Sequence, residues 1–187
     1  MDFFYQIFII HNRPWSQAET ICLTGIAVVM AVLLIWCIRH HRMKVSQAVA
    51  LFLLILFLEI VAASTILTRR PGVRSYKLIP FWSWYGVIVE GDISLLLENI
   101  LNCLLLMPAG FLLPFICNHK VRLHRGLLFG LFISSVIEIC QLVLKRGLFE
   151  WDDIIHNALG CMLGCLLANW VWERIRRWKR MREGHIG

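Results

Sequence analysis

Five long apolar runs divide the chain, and polar or charged residues separate them. The runs cover residues 21–38, 48–67, 95–117, 126–144 and 154–172, about 18 to 23 residues each. A helix needs roughly 20 apolar residues to cross a bilayer, so each run is long enough to span. The pattern predicts an all-α fold, a polytopic membrane helical bundle of five transmembrane helices.

The distribution of basic residues between the runs predicts the orientation. With the N-terminus outside, 12 Lys and Arg fall on the inner side and 7 on the outer side. An excess of basic residues marks cytoplasmic loops, so an N-out/C-in topology is favoured. The apolar stretch 3–10 is too short to cross and is expected to lie at the interface. The predicted organisation is an interfacial segment 1–20, a transmembrane domain 21–173 and a basic cytoplasmic tail 174–187.

The composition is typical of a membrane protein and indicates which partners to expect. Hydrophobic residues make up 59 % of the chain and mean hydropathy is +0.70, against roughly 45–50 % apolar in soluble domains. The net charge of +7 follows from the topology and accompanies no nucleic-acid motif, so the lipid bilayer is the expected partner and nucleic acid is not. Seven cysteines lie in or beside apolar runs, as reduced thiols do. We expect no disulfide framework, no metal site and no cofactor.

Carboxylates and carboxamides interrupt four of the runs. Such groups are costly at membrane depth unless they face protein or water, so they are candidate functional residues. With a rise of 1.5 Å per residue, Asn102 and Glu138 each fall roughly 10 Å below the outer boundary. Glu59 comes to a similar depth, and Arg146 lies in the turn beside the acids as a candidate anion partner. The predicted outer polar pocket comprises Glu98, Asn99, Asn102, Glu138, Gln141, Arg146, Asp152, Asp153 and Asn157.

Prolines, glycines and aromatic residues suggest how the pocket is framed. Pro108 and Gly110, followed by Pro114, are expected to kink or break the third helix, either as a packing kink or around a cavity. Gly160 and Gly164 have the spacing that permits close helix approach. The loop before the third helix is aromatic, and its residues Pro80, Phe81 and Trp82 fit either an interfacial belt or a lid over the pocket.

Four ordered motifs within residues 76–164 resemble those of VanZ-like membrane proteins. They are KLIPF at 77–81, ENIxN at 98–102 leading into MPAGFLLP at 107–114, SxxExxQ at 135–141, and RGLFExDDIIxNxxG at 146–160. His156 departs from the pattern, because an apolar residue is expected there. The resemblance implies a multi-pass protein of the bacterial plasma membrane. It also implies a role in glycopeptide resistance, because the family takes its name from a protein associated with teicoplanin resistance in Gram-positive bacteria.

The residues leave three main kinds of function open, besides a proton-coupled transporter that Glu59 and Glu138 would allow but that fits poorly with five spans and no internal repeat. An accessory protein would bind a lipid-linked cell-wall precursor or a lipid head group in the pocket. An intramembrane enzyme would use Glu138 and Asp153 as acid and base on a lipid-linked substrate, although no catalytic motif assigns catalytic residues. A structural protein would use the polar groups only to hold its helices together. The oligomeric state and the physiological role of resistance stay open.

Overall fold

The computed structural model describes residues 13–183, so the predicted interfacial stretch 3–10 lies outside the described residues. Six α-helices and two short strands form this part of the chain, and five of the helices are long and apolar enough to cross a membrane. In chain order the elements are α1 (Gln17–Arg39), α2 (Val45–Ala62), β1 (Ser75–Lys77), α3 (Trp82–Val89), α4 (Ile93–Cys117), α5 (Leu123–Leu144), β2 (Leu148–Glu150) and α6 (Trp151–Glu183). The predicted all-α polytopic bundle is therefore confirmed.

Local sequence explains where the helices begin and end. Ser16 caps α1 through a capping box, in which its hydroxyl accepts the Glu19 N–H and its own N–H binds the Glu19 carboxylate. Asp92 caps α4 by accepting the N–H groups of Ser94 and Leu95. The helix α2 ends in a π-helical turn, Ala63–Leu67. The last helix continues past residue 172 to Glu183, since Arg, Lys and Glu are good helix formers and no Gly or Pro intervenes.

The two prolines of α4 do not break it. The helix runs without interruption from Ile93 to Cys117 with Pro108 and Pro114 inside, so the prediction of a kink or a break is narrowed to a kink, which stays a prediction. Each proline removes one backbone N–H, and packing compensates for that loss. Pro114 is fully buried, and α4 packs more extensively against α6 than any other pair of helices does.

The centre of the bundle is α6, and glycines let its neighbours approach closely. Half of the residues in its membrane-spanning part are buried, whereas only 6 % are buried in α1. A Cβ added to Gly160 would lie 1.7 Å from the Cys103 carbonyl oxygen, and one added to Gly110 would lie 1.8 Å from the Cys161 oxygen. The backbones of α4 and α6 are therefore in direct contact, the arrangement that small residues permit in membranes.

One end of the bundle carries a two-stranded parallel sheet. The strands pair Ser75 with Leu148, Tyr76 with Phe149 and Lys77 with Glu150. This pairing joins the loop before α4 to the turn between α5 and α6, so α3 and the ends of four spanning helices meet there. We call this the sheet-bearing end; the sequence pattern did not predict the strands because each has only three residues.

Candidate functional site

The carboxylate of Asp152 fixes the aromatic loop to the start of α6. It accepts hydrogen bonds from the Phe81 N–H at 2.5 Å, the Ser83 N–H at 2.9 Å and the Ser83 hydroxyl at 2.5 Å. Phe81 adopts a left-handed backbone (φ 61°) directly before α3, and Asp152 is 1 % exposed. The buried carboxylate thus caps α3 from across the molecule, where a negative charge also complements the helix dipole.

A second tie joins the same loop to α6. The indole N–H of Trp84 donates to Nε2 of His156 at 2.9 Å, and the two rings lie 5.8 Å apart. His156 is buried, so its role is to receive the loop rather than to face lipid. This contact could be predicted only weakly, from a histidine in an apolar helix and a loop rich in tryptophan.

Carboxyl groups from four elements meet behind the loop. The Asn102 amide donates to the Asp153 carboxylate at 2.6 Å, and the Glu138 carboxylate accepts the backbone N–H of Glu150 at 3.2 Å. The charges of Glu98, Glu138 and Glu150 all act on Asp153. We call this group the carboxyl layer; it consists of Glu98, Glu138, Glu150, Asp152 and Asp153.

The layer contains more acidic than basic side chains. Arg69 acts electrostatically on Glu138 and Asp153, and Lys77 acts on Glu150. Within residues 13–183, no carboxyl of the layer has a Lys or Arg nitrogen within salt-bridge distance. Arg69 was not among the predicted site residues. It lies between the end of α2 and β1, and it acts on the layer from there.

Arg146 binds backbone carbonyls instead of carboxylates. Its guanidinium donates to the Leu67 oxygen at 2.5 Å and the Ile66 oxygen at 3.2 Å, and its N–H donates to the Gln141 oxygen. Helix ends leave carbonyls without intrahelical partners, and the π-helical turn of α2 presents them here. The side chain predicted to be an anion partner therefore holds the α5–β2 turn against α2.

Amide side chains line the layer, and some of their polar atoms are unpaired. Gln141 donates to the Thr65 oxygen at 3.0 Å and Asn157 donates to the Ser134 hydroxyl at 2.9 Å. The buried atoms without a hydrogen-bond partner include Asn99 Nδ2, Glu150 Oε1 and Asn157 Oδ1. An unsatisfied buried polar atom costs about 1–3 kcal/mol, so these atoms mark a region with capacity for a ligand.

Glu59 lies apart from this group. It lines a cavity of about 220 Å³ between α1 and α2, together with Trp15 and Thr24. Its Oε1 is buried without a partner. The similar depth predicted for Glu59 thus does not bring its side chain into the carboxyl layer.

Glu150 is the member of the layer that lies outside the spanning segments. Burial, and then the negative charges of Glu98 and Asp152, raise the pKa of Glu150 to about 7, while Lys77 opposes the shift. Glu150 therefore exchanges its proton near neutral pH. No set of three or more His, Cys, Asp or Glu within residues 13–183 is arranged to hold a metal ion.

The aromatic loop lines a partly open cavity. Its volume is about 510 Å³, and its lining includes Pro80, Phe81, Trp82, Tyr85 and Glu90. The Lys77 ammonium lies 2.9 Å from the centre of the Trp82 ring. Because Lys77 also acts on Glu150, Trp82 connects the cavity to the carboxyl layer.

Fold and site together define a polytopic membrane protein with an acidic, amide-lined layer at one end of a five-span bundle. A family model described as VanZ/LLP1 matches residues 28–172, most of the chain. The protein therefore belongs to the VanZ/LLP1 family. Neither the curated proteins nor the solved structures give a significant match.

Proposed function

We propose that this VanZ/LLP1 protein binds a polar group of a cell-envelope component at the carboxyl layer and thereby lowers sensitivity to glycopeptides such as teicoplanin. The component is a lipid-linked cell-wall precursor or a lipid head group. An N-out/C-in orientation puts the sheet-bearing end on the outer face of the bacterial plasma membrane, where glycopeptides act. The family resemblance supplies the link to resistance, and the structure supplies a site that suits binding.

One observation carries the binding role: polar groups converge at the layer, and several of their atoms stay unpaired. Within residues 13–183, the five carboxyls from β2, α4, α5 and α6 form no salt bridge, and Glu150 Oε1 and the amide atoms Asn99 Nδ2 and Asn157 Oδ1 are buried without a partner. Polar groups that only hold a bundle together bind each other, as Asn102 and Asp153 do. The unpaired remainder costs stability, a pattern typical of a site that is completed by a ligand.

The second candidate is a carboxylate-dependent enzyme acting on a lipid-linked substrate. The Glu138 carboxylate accepts the Glu150 N–H, and both charges act on Asp153. Acid–base catalysis uses neighbouring carboxyls, of which one donates a proton and the other accepts one. The isosteric variant Glu138→Gln separates the two functions, because an acid or base is lost while a hydrogen-bonding site is largely kept.

The test is glycopeptide susceptibility of a sensitive Gram-positive host. The host expresses the wild type, Asp153→Asn, Arg146→Ala or Glu138→Gln, and membrane abundance is measured for each. Glu173→Gln is the matched control, because Glu173 pairs with Lys120 away from the layer. We expect protection by the wild type and the control, and none from equally abundant Asp153→Asn and Arg146→Ala.

Three results would change the proposal. Protection by Asp153→Asn at normal abundance would remove the layer from the function. Loss of protection in exact proportion to abundance would favour a structural role for the polar groups. Loss in Glu138→Gln at normal abundance would favour the enzyme, whereas full protection would favour binding.

A further inference from the structure

We infer that the carboxyl layer recognises a primary ammonium group, presented by a phospholipid head group that enters from the side of the bundle. The inference deepens the proposed function and rests on it, since it names the chemistry of the group bound at the same layer. It reverses the expectation that Arg146 makes this an anion site. The shared chemistry is R–NH₃⁺, which has three N–H donors and one positive charge.

The layer has an excess of acidic over basic side chains, which favours a cation over an anion. Five carboxyls face two cations, Arg69 and Lys77, and Arg146 is bound to carbonyl oxygens. Buried charges are stable when paired and hydrogen-bonded, so a phosphate without its amine would add to the excess. An added ammonium would neutralise part of it.

Unpaired acceptors show where an ammonium can donate. Glu150 is 6 % exposed and its Oε1 has no partner, and Asn157 is 2 % exposed and its Oδ1 has no partner. Both are acceptors, the type of atom that an ammonium needs. Asp153 uses one oxygen for the Asn102 amide, so its carboxylate retains further acceptor capacity.

The protein already holds one primary ammonium at the edge of the layer. The Lys77 ammonium lies on the Trp82 ring and acts on Glu150, with which Lys77 is paired in the sheet. An aromatic face beside a carboxylate is a favourable environment for an ammonium. A ligand ammonium would approach the same carboxylate, so Lys77 is a tethered competitor.

The exposure of Glu98 indicates a lipid as the source. Glu98 is exposed on the flank of α4 among the exposed apolar residues Leu97, Ile100 and Leu101. It lies five residues into the helix, roughly 8 Å from its start, the depth of a head group. A phospholipid beside α4 can therefore extend its amine past Glu98 toward Asp153.

The experiment measures lipid binding to the purified full-length protein by native mass spectrometry. The probes are phosphatidylethanolamine, phosphatidylcholine and phosphatidylglycerol with identical acyl chains. Only the first carries a primary ammonium; the second is quaternary and has no N–H, and the third is anionic. We expect phosphatidylethanolamine to bind about tenfold more tightly than either.

Variants locate the binding. Asp153→Asn should weaken phosphatidylethanolamine binding about tenfold, whereas Glu173→Gln, which removes a carboxyl that pairs with Lys120 away from the layer, should not change it. Lys77→Met should tighten binding severalfold because the competitor is removed. A larger preference for phosphatidylethanolamine over phosphatidylcholine cannot result from non-specific adsorption to a misfolded protein, so this variant keeps the test decisive if Asp153→Asn fails to fold.

Competition with free ethanolamine identifies the source of the ammonium. Displacement by ethanolamine shows that the ammonium alone suffices, and no displacement shows that the lipid body is required; both support an ammonium site. Equal binding of the three lipids, preference for phosphatidylglycerol, no binding, or weaker binding by Lys77→Met would overturn the inference. If the protein protects against glycopeptides but binds no ammonium, this inference fails and the proposed function is kept. If it binds an ammonium but does not protect, the proposed function fails and this inference is kept.

Discussion

At the residue scale, Asp152 shows how one buried carboxylate organises a loop. Its oxygens receive three donors from Phe81 and Ser83, and a neutral amide can accept fewer of them and more weakly. We expect Asp152→Asn to lower the free energy of unfolding by on the order of 2–3 kcal/mol. Thermal unfolding of the detergent-solubilised protein measures the loss, and limited proteolysis of residues 78–92 measures release of the loop.

The control for this prediction is the next residue along α6. Asp153→Asn removes the same charge from a side chain that binds Asn102 and not the loop. The loop should stay protected from protease in this variant. A loop that remains equally resistant in Asp152→Asn would refute the anchoring role.

Glu150 gives the layer a dependence on pH. Its pKa is about 7 in the folded protein, against 4.5 when unperturbed, so the folded state binds the proton more tightly than the unfolded state does. The stability that Glu150 contributes is therefore complete at low pH and is lost as pH rises from about 4.5 through about 7. We expect the melting temperature to fall over this range, and Glu150→Gln to reduce the slope. A slope unchanged in Glu150→Gln would contradict the assignment.

Residue chemistry was partly predictable from the sequence. Because a helix has a fixed rise per residue, the depth of each residue could be calculated, and this places Asn102 near Asp153 and Glu138 at the same end. The direction of Arg146 was not predictable, since it depends on the left-handed backbone of Lys145 (φ 57°) and the positive φ of Gly147 (156°). Hydrophobic periodicity carries no information on the conformation of such turns. Arg69 also lies in a connection between helices, so its position near the layer was not predicted.

At the scale of elements, backbone contact between α4 and α6 positions the layer. A Cβ added to Gly160 would overlap the Cys103 carbonyl, and a backbone cannot move as a flexible side chain can. We expect Gly160→Ala to destabilise the protein by about 1–3 kcal/mol or more, the cost of overpacking. The melting temperature checks this.

Gly25 provides a matched control on a lipid-facing helix. Nothing lies within 4 Å of a Cβ added there, so Gly25→Ala should be neutral or slightly stabilising. Equal effects of the two substitutions would show that backbone contact does not determine the stability of α4 against α6.

Elements differed in how well the sequence predicted them. The five long helices were predictable because each apolar run matches the thickness of a bilayer. Of the kink or break predicted at Pro108, the break does not occur, because packing against α6 keeps α4 continuous. Strands of three residues and the helix α3 were missed, because segments this short have no measurable periodicity.

At the scale of the whole molecule, orientation decides whether the layer meets the cell envelope. The basic bias predicts N-out/C-in, with α6 ending in the cytoplasm. We expect a C-terminal green fluorescent protein fusion to fluoresce and a C-terminal alkaline phosphatase fusion to be inactive. Active phosphatase at this position would place the layer on the cytoplasmic side and contradict the proposed function.

The parallel sheet has a consequence for biogenesis. Its two strands are separated by α3, α4 and α5, and Asp152 lies 71 residues after Phe81, which it anchors. During synthesis β1 and the aromatic loop reach their side of the membrane before two further spans have been inserted. They acquire their partners only when β2 and the first turn of α6 follow. Closure of the sheet is thus a late step in assembly, and a nascent chain that stops before residue 148 has inserted helices but no organised acidic end.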